Sequence, residues 1–126
     1  MSWKVEYARK FRSEQIENEK VSKEISDFVH GLNEIFKENG IDEKVQFISN
    51  KMIFPDCAVS IRVNSENNEV EFTKLDKKNQ SSVIDSLRVR YREGYYNITN
   101  TKKNLCDNKY LEFNKELVDC VFRQLL

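Results

Sequence analysis

The spacing of apolar residues changes at Gly40, and this change constrains the fold more than any other feature of the sequence. Between Ser13 and Asn39, apolar residues recur every three or four positions, which is typical of an amphipathic helix. Acidic residues in the early turns, and the glycine that follows Asn39, agree with the two ends of such a helix. The sequence therefore predicts a long N-terminal helix over about residues 13–39.

After Gly40, apolar residues alternate with polar ones, which is typical of antiparallel strands that have one face in solvent. The alternation predicts strands over about residues 45–49, 58–64 and 70–75. A polar run between the second and third of these segments has the composition of a turn. We therefore expect an antiparallel sheet of three to four strands.

Residues 81–93 fit two different structures. Helical spacing is shown by Val83, Ile84, Leu87 and Tyr91, and Gly94 would end the helix. As an alternative, residues 87–92 alternate like a strand, and Glu93-Gly94 would turn it into a hairpin with residues 95–98. Because a capping box and the glycine stop agree with the helical spacing, the sequence favours a middle helix over about residues 81–93.

A C-terminal helix is predicted over about residues 108–125, whereas residues 1–12 fit a strand as well as a helix. The chain has 126 residues, which is the length of one ordinary domain. The predicted fold is a single α+β domain over residues 1–126. In this fold, the antiparallel sheet of three to four strands packs against the long N-terminal helix, the middle helix and the C-terminal helix.

The composition excludes several classes of protein. The chain has 21 Lys and Arg residues and 21 Asp and Glu residues, so no global field attracts it to DNA or to anionic lipid. No stretch approaches the ~20 apolar residues of a membrane helix, and the first residues lack the apolar segment of a signal peptide. The three cysteines show no paired spacing. We expect a cytoplasmic protein with reduced thiols and no membrane partner.

Few residues are suited to catalysis or to metal binding. His30 is the only histidine, and Cys57, Cys106 and Cys120 lack the short paired spacing of zinc ligands. The three glycines are scattered, so no phosphate-binding loop is present. We therefore expect no enzyme, no metal and no cofactor. An enzyme would require His30 and one of the cysteines in a common pocket.

Charge is distributed unevenly along the chain. The segment from Glu14 to Glu43 holds nine acidic residues and three lysines, whereas the segment from Lys77 to Lys103 holds seven basic and two acidic residues. In the second segment, arginines and tyrosines are interleaved, and both residue types are enriched in the hot spots of protein interfaces. The predicted protein-binding residues are Arg88, Arg90, Tyr91, Arg92, Tyr95 and Tyr96.

The same basic segment allows two other interpretations. Aromatic rings that stack on bases, together with cations that hold phosphates, bind single-stranded nucleic acid. That surface would consist of Lys77, Lys78, Arg88, Arg90, Arg92, Lys102 and Lys103. In the other interpretation, the basic segment only neutralises the acidic first helix within the fold.

Two functional hypotheses follow from these patterns of residues. The first is a non-enzymatic module that binds another protein, such as an inhibitor, immunity protein or regulator of bacterial or phage origin. The alternative is a protein that binds single-stranded nucleic acid weakly through residues 77–103.

Overall fold

The change of period at Gly40 marks the boundary between the N-terminal helical part of the chain and the strands that follow it. The computed structural model describes residues 2–99 and 109–126. Within these residues the elements are, in chain order, α1 (Trp3–Arg9), α2 (Asn18–Glu38), β1 (Gln46–Ile48), β2 (Lys51–Ile53), β3 (Cys57–Asn64), β4 (Glu69–Asp76), β5 (Val83–Arg92), β6 (Tyr95–Thr99), β7 (Lys109–Tyr110) and α3 (Lys115–Leu125).

Helix α2 is the long helix expected from the 3.6-residue period. Its buried residues are Val21, Ile25 and Val29. After the helix, Gly40 has a φ of +67°, and the N–H of Ile41 donates to the carbonyl of Phe36 at 2.9 Å. This bond across a left-handed glycine is a Schellman motif, which satisfies carbonyls at the end of the helix. The helix therefore ends where the sequence predicts.

The sheet is larger than the sequence indicates. Among the described residues, seven strands form one antiparallel sheet in the order β1 to β7, so each strand pairs with the next along the chain. The predicted sheet of three to four strands is therefore wrong, although the α+β class is correct. The two-residue turns Ser49-Asn50 and Glu93-Gly94 have positive φ at both positions, as type I′ hairpin turns require.

The predicted middle helix over residues 81–93 is also wrong. These residues form β5, which pairs with β4 on one side and with β6 on the other. Leu87, Val89 and Tyr91 are buried at alternate positions of this strand. A central strand gains hydrogen bonds on both edges and buries one face, and these long-range gains override the local helical signals.

At the N-terminal end the structure decides between the two open alternatives, and at the C-terminal end it corrects the bounds of the predicted helix. Residues 3–9, which the sequence left open, form helix α1. Helix α3 begins at Lys115 rather than at residue 108, because the side chain of Asn114 caps it by accepting the N–H of Leu117 at 3.1 Å. Lys109 and Tyr110, which fall within the predicted helix, form β7 against β6 instead.

Helices α2 and α3 pack together on one face of the sheet. Phe122 of α3 stacks on Phe28 of α2, with ring centres 4.6 Å apart, and meets Phe72 of β4 edge-on at 5.7 Å. The opposite face, here called the outer face, carries the other alternate residues of the strands. None of the helices within residues 2–99 and 109–126 combines the length and apolar content needed to cross a membrane.

Candidate functional site

The alternation of strand β5 separates the predicted protein-binding residues into two groups. Arg88, Arg90 and Arg92 lie on the outer face, because successive strand residues point to opposite sides. The register pairs Arg92 with Tyr95, so this tyrosine joins the arginines. Four of the six predicted residues therefore share one surface.

Tyr91 and Tyr96 lie on the other face of the sheet, where the register places them opposite each other. Both are buried in the core, and their rings meet edge-on at 4.8 Å. The hydroxyl of Tyr96 donates to Glu14 Oε2 at 2.8 Å. These two tyrosines hold the segment before α2 against the sheet and are not accessible to a partner.

The buried tyrosines make the fold sensitive to alkaline pH. Burial raises the pKa of Tyr96 and of Tyr91 above the ordinary value of 10.0, and the neighbouring Glu14 raises both further. Burial is also the main reason why the pKa of Cys57 rises from 9.0 to about 11. These groups therefore keep their protons in the folded state at a pH where the unfolded chain loses them. Their contribution to stability is complete below pH 9 and is lost as the pH rises through the raised pKa values.

We expect the free energy of unfolding to fall steeply above pH 9, and the Tyr96→Phe variant to show a shallower fall because it has one titrating group fewer. Urea unfolding at a series of pH values measures both slopes. The control is Tyr7→Phe, which changes an exposed tyrosine. Equal slopes for Tyr96→Phe and the wild type would contradict this account.

Two arginines of the outer face are already paired with carboxylates of β4. Arg88 Nη2 lies 3.0 Å from Glu71 Oε2. Arg90 Nε and Nη2 lie 3.1 and 2.9 Å from Glu69 Oε2. The register places each arginine directly opposite its glutamate. Arg88 and Arg90 of the basic segment are thus neutralised within the fold, but by glutamates of β4 rather than by the acidic helix α2.

The two ion pairs should contribute unequally to stability. The side chain of Glu69 is 11% exposed, whereas that of Glu71 is 30% exposed. Arg90→Ala leaves the nearly buried Glu69 carboxylate unpaired and should lower the free energy of unfolding by about 1–3 kcal/mol. Arg88→Ala, the matched control, should lower it by about 1 kcal/mol or less. Urea unfolding of both variants checks this order, and equal losses would contradict it.

Arg92 lines a groove on the outer face that has a volume of about 820 Å³. This open-face groove is lined by Glu6, Lys10, Arg90, Arg92, Glu93, Tyr95, Asn97, Thr99 and Lys109. Helix α1 reaches it because Gly94, in the β5–β6 turn, lets the carbonyl of Arg9 approach closely. The groove therefore joins α1 to strands β5, β6 and β7.

The groove presents cations around one aromatic ring. Lys109 Nζ lies 5.6 Å from the centre of the Tyr95 ring. Arg92 and Lys10 are both exposed. Neither makes an ion pair with any residue in 2–99 or 109–126. Unpaired cations beside an aromatic surface can bind carboxylates or phosphates while an apolar group packs on the ring.

Lys10 and Lys109 were not predicted as site residues from the sequence. Each lies far from Arg92 along the chain, and only the docking of α1 and the pairing of β6 with β7 bring them into the groove. The sequence does contain a pattern that separates Tyr91 from the arginines, namely the alternation of residues 87–92. This alternation places Tyr91 on the opposite face only if the segment is a strand, whereas the helical spacing was favoured.

The predicted nucleic-acid residues do not form one surface in the part of the chain that the structure describes. Lys77 and Lys78 follow β4, whereas Arg92 lies at the far end of β5, roughly 30 Å along a ten-residue strand. Lys77 Nζ also donates to the carbonyl of Pro55 at 2.5 Å. Lys102 and Lys103 lie outside the described residues.

The remaining candidate for catalysis is not assembled among the described residues. His30 is exposed on α2, whereas Cys57 is a buried free thiol and Cys120 is buried and disulfide-bonded. The expectation of three reduced thiols therefore does not describe this structure, and Cys106 lies outside the described residues. Across residues 2–99 and 109–126, no three His, Cys, Asp or Glu side chains are grouped closely enough to hold a metal ion.

The chain matches no protein-family model, no curated protein and no solved structure.

Proposed function

We propose that this chain is a non-enzymatic module that binds another protein through the open-face groove. The observation that carries the proposal is the convergence of Arg92, Lys10 and Lys109 around Tyr95 in one concave surface. Arginine and tyrosine supply much contact at low entropic cost and are enriched in interface hot spots. An inhibitor, immunity protein or regulator would act in this way, without catalysis.

The groove favours an acidic segment of the partner. Lys10, Arg92 and Lys109 can each pair with a carboxylate, and Tyr95 provides an apolar surface between them. Glu6 and Glu93 lie at the same groove and disfavour a partner of uniformly negative charge. A mixed protein surface fits this pattern better than a polyanion does, because like charges that meet at an interface reduce affinity.

The test is quantitative capture of partners by the immobilised chain. The double variant Arg92→Glu/Tyr95→Ser removes the centre of the groove, and we expect at least a tenfold loss of capture for the partner. The matched control is Lys78→Glu/Val83→Ser, which makes the same two kinds of change near the start of β5, where Val83 is exposed. The control should capture the partner as the wild type does. Equal capture by both double variants would contradict the proposal.

The second candidate function is weak binding of single-stranded nucleic acid through the same groove. The arrangement of Arg92 and Lys109 beside the Tyr95 ring supports it, because bases stack on such rings. Glu69 and Glu71 argue against nucleic-acid binding, because they form ion pairs with Arg90 and Arg88 and would repel phosphates. Fluorescence anisotropy with labelled oligonucleotides at low and moderate salt decides, and an absence of binding at low salt ends this alternative.

A cytoplasmic location is part of the first proposal, and the disulfide at Cys120 opposes it, because stable disulfides are rare in the cytosol. Denaturation of the cell contents in the presence of an alkylating reagent and without reductant, followed by a count of modified cysteines, tests the location, because buried thiols such as Cys57 then become accessible. Modification of all three cysteines supports the cytoplasm, whereas a protected pair opposes it.

A further inference from the structure

A second concave surface lies on the helical side of the molecule, between α2 and α3. This α2–α3 groove has a volume of about 250 Å³, and its apolar floor includes Phe28, Leu32 and Val118. Sites for small-molecule ligands usually measure about 300–1,000 Å³. The α2–α3 groove is therefore suited to a side chain from another protein surface rather than to a cofactor.

Gly31 opens this groove to the backbone of α2. It lies in the middle of a 21-residue helix, where glycine is destabilising. A Cβ atom at Gly31 would meet no atom within 4 Å, so packing among the described residues does not require a glycine here. The absence of a side chain leaves room for a group from outside to approach the helix closely.

The rim of the α2–α3 groove is acidic. Glu24, Asp27 and Asp119 surround it, with Lys115 as the only cation among the described residues that line it. An apolar floor inside a negative rim is complementary to an aromatic or aliphatic side chain that is flanked by cations.

Helix α1 and the turn that follows it present such side chains on the same chain. Trp3, Tyr7 and Phe11 are four residues apart and are 70%, 57% and 71% exposed. No residue of α1 is buried, and the rings of Tyr7 and Phe11 contact each other at 5.2 Å. The segment is basic, since it also holds Lys4, Arg9, Lys10 and Arg12 against the single carboxylate of Glu6.

We propose that α1 of one copy docks into the α2–α3 groove of a second copy, with the Trp3 side chain over Gly31 and Lys4 at the acidic rim. The two surfaces are complementary in polarity and in charge, and neither is covered by the described part of its own chain. Because the surfaces differ, the contact is head-to-tail, and it extends to further copies unless a ring closes. This proposal does not depend on the open-face groove or on the function proposed for it.

The test uses Trp3, which is the only tryptophan of the chain. Gly31→Leu fills the groove and keeps α1, whereas Trp3→Ser keeps the groove and removes the docking side chain. Leucine is a good helix former and has open space at this position, so the first variant should fold, which circular dichroism checks. Each variant alone should remain monomeric in sedimentation velocity, whereas the wild type should gain mass as its concentration rises.

Mixing the two variants gives the decisive measurement. Only the Gly31→Leu chain then carries a tryptophan, and its emission should shift to shorter wavelength when an excess of Trp3→Ser protein supplies an open groove. The double variant Trp3→Ser/Gly31→Leu is the control, and it should produce no shift. If Gly31→Leu does not fold, Asp27→Lys/Asp119→Lys takes its place as the chain that carries Trp3, and its emission should still shift with Trp3→Ser protein. The matching control is then Trp3→Ser/Asp27→Lys/Asp119→Lys, which should produce no shift because its rim charge is reversed.

Two outcomes would overturn the proposal. One is a wild type that stays monomeric up to near-millimolar concentration, with unchanged tryptophan emission. The other is a shift that appears only when vesicles containing phosphatidylserine are added, because this would assign α1 to an anionic membrane surface instead.

Discussion

Replacing Phe122 by alanine should lower the free energy of unfolding by about 3–5 kcal/mol. Phe122 is 1% exposed, and its ring contacts three other phenylalanines, at centre-to-centre distances of 4.6, 5.7 and 6.0 Å. These neighbours are Phe28, Phe72 and Phe54. The single ring therefore connects α3 to α2 and to the sheet, and the surrounding structure can collapse only partly into the space that it leaves.

Urea unfolding followed by circular dichroism measures the effect of Phe122→Ala. The control is Phe11→Ala, which removes a ring that is 71% exposed and should change the free energy of unfolding by less than about 0.5 kcal/mol. A loss below about 1 kcal/mol for Phe122→Ala would mean that this ring is not the centre of the core.

Gly94→Ala should lower the free energy of unfolding by about 2–5 kcal/mol. Gly94 has a φ of +85°, which disfavours any residue with a Cβ by about 1–2 kcal/mol. In addition, a Cβ here would lie 2.2 Å from the carbonyl oxygen of Arg9, which is too close for any real contact. Overpacking of this kind costs about 1–3 kcal/mol or forces the neighbour away.

The same substitution at Gly31 is the matched control for Gly94→Ala. Gly31 lies within a helix and has open space around it, so alanine there should raise the free energy of unfolding by about 0.5–1 kcal/mol. Urea unfolding of both variants measures the opposite signs. A Gly94→Ala protein as stable as the wild type, with α1 still in place, would contradict the close approach of Arg9 to the hairpin.

The long helix α2 shows how far local patterns determine this fold. The period of its apolar residues and the glycine stop were sufficient to predict α2 and its C-terminal end. The sequence nevertheless placed the start near residue 13, whereas the helix begins at Asn18. Asn68, in the β3–β4 turn, accepts the N–H of Ile16 at 2.7 Å and donates to the carbonyl of Glu14 at 2.7 Å, which keeps this segment extended. No local pattern reveals a partner that lies so far away along the chain.

Strand β5 shows why the candidate site was predicted only in part. Composition was sufficient to single out Arg90, Arg92 and Tyr95, which line the open-face groove, because arginine and tyrosine are concentrated there. It also singled out Arg88, which lies on the same face but is not among the residues that line the groove. A helical reading of the segment gives no reason to separate Tyr91 from Arg90. Once residues 83–92 form a strand, the period of two places them on opposite faces, and the pairing with β4 determines which arginines remain free. That pairing depends on register, which sequence spacing alone does not determine.

Photo-crosslinking at Tyr95 tests whether the open-face groove contacts a protein, as we propose. A photoreactive benzoylphenylalanine in place of Tyr95 should, on irradiation in the cells that produce the chain, give one discrete adduct that proteases digest and nucleases do not. The same group in place of the exposed Val83 should give no such adduct. An adduct removed by nuclease, or equal adducts at both positions, would contradict the account.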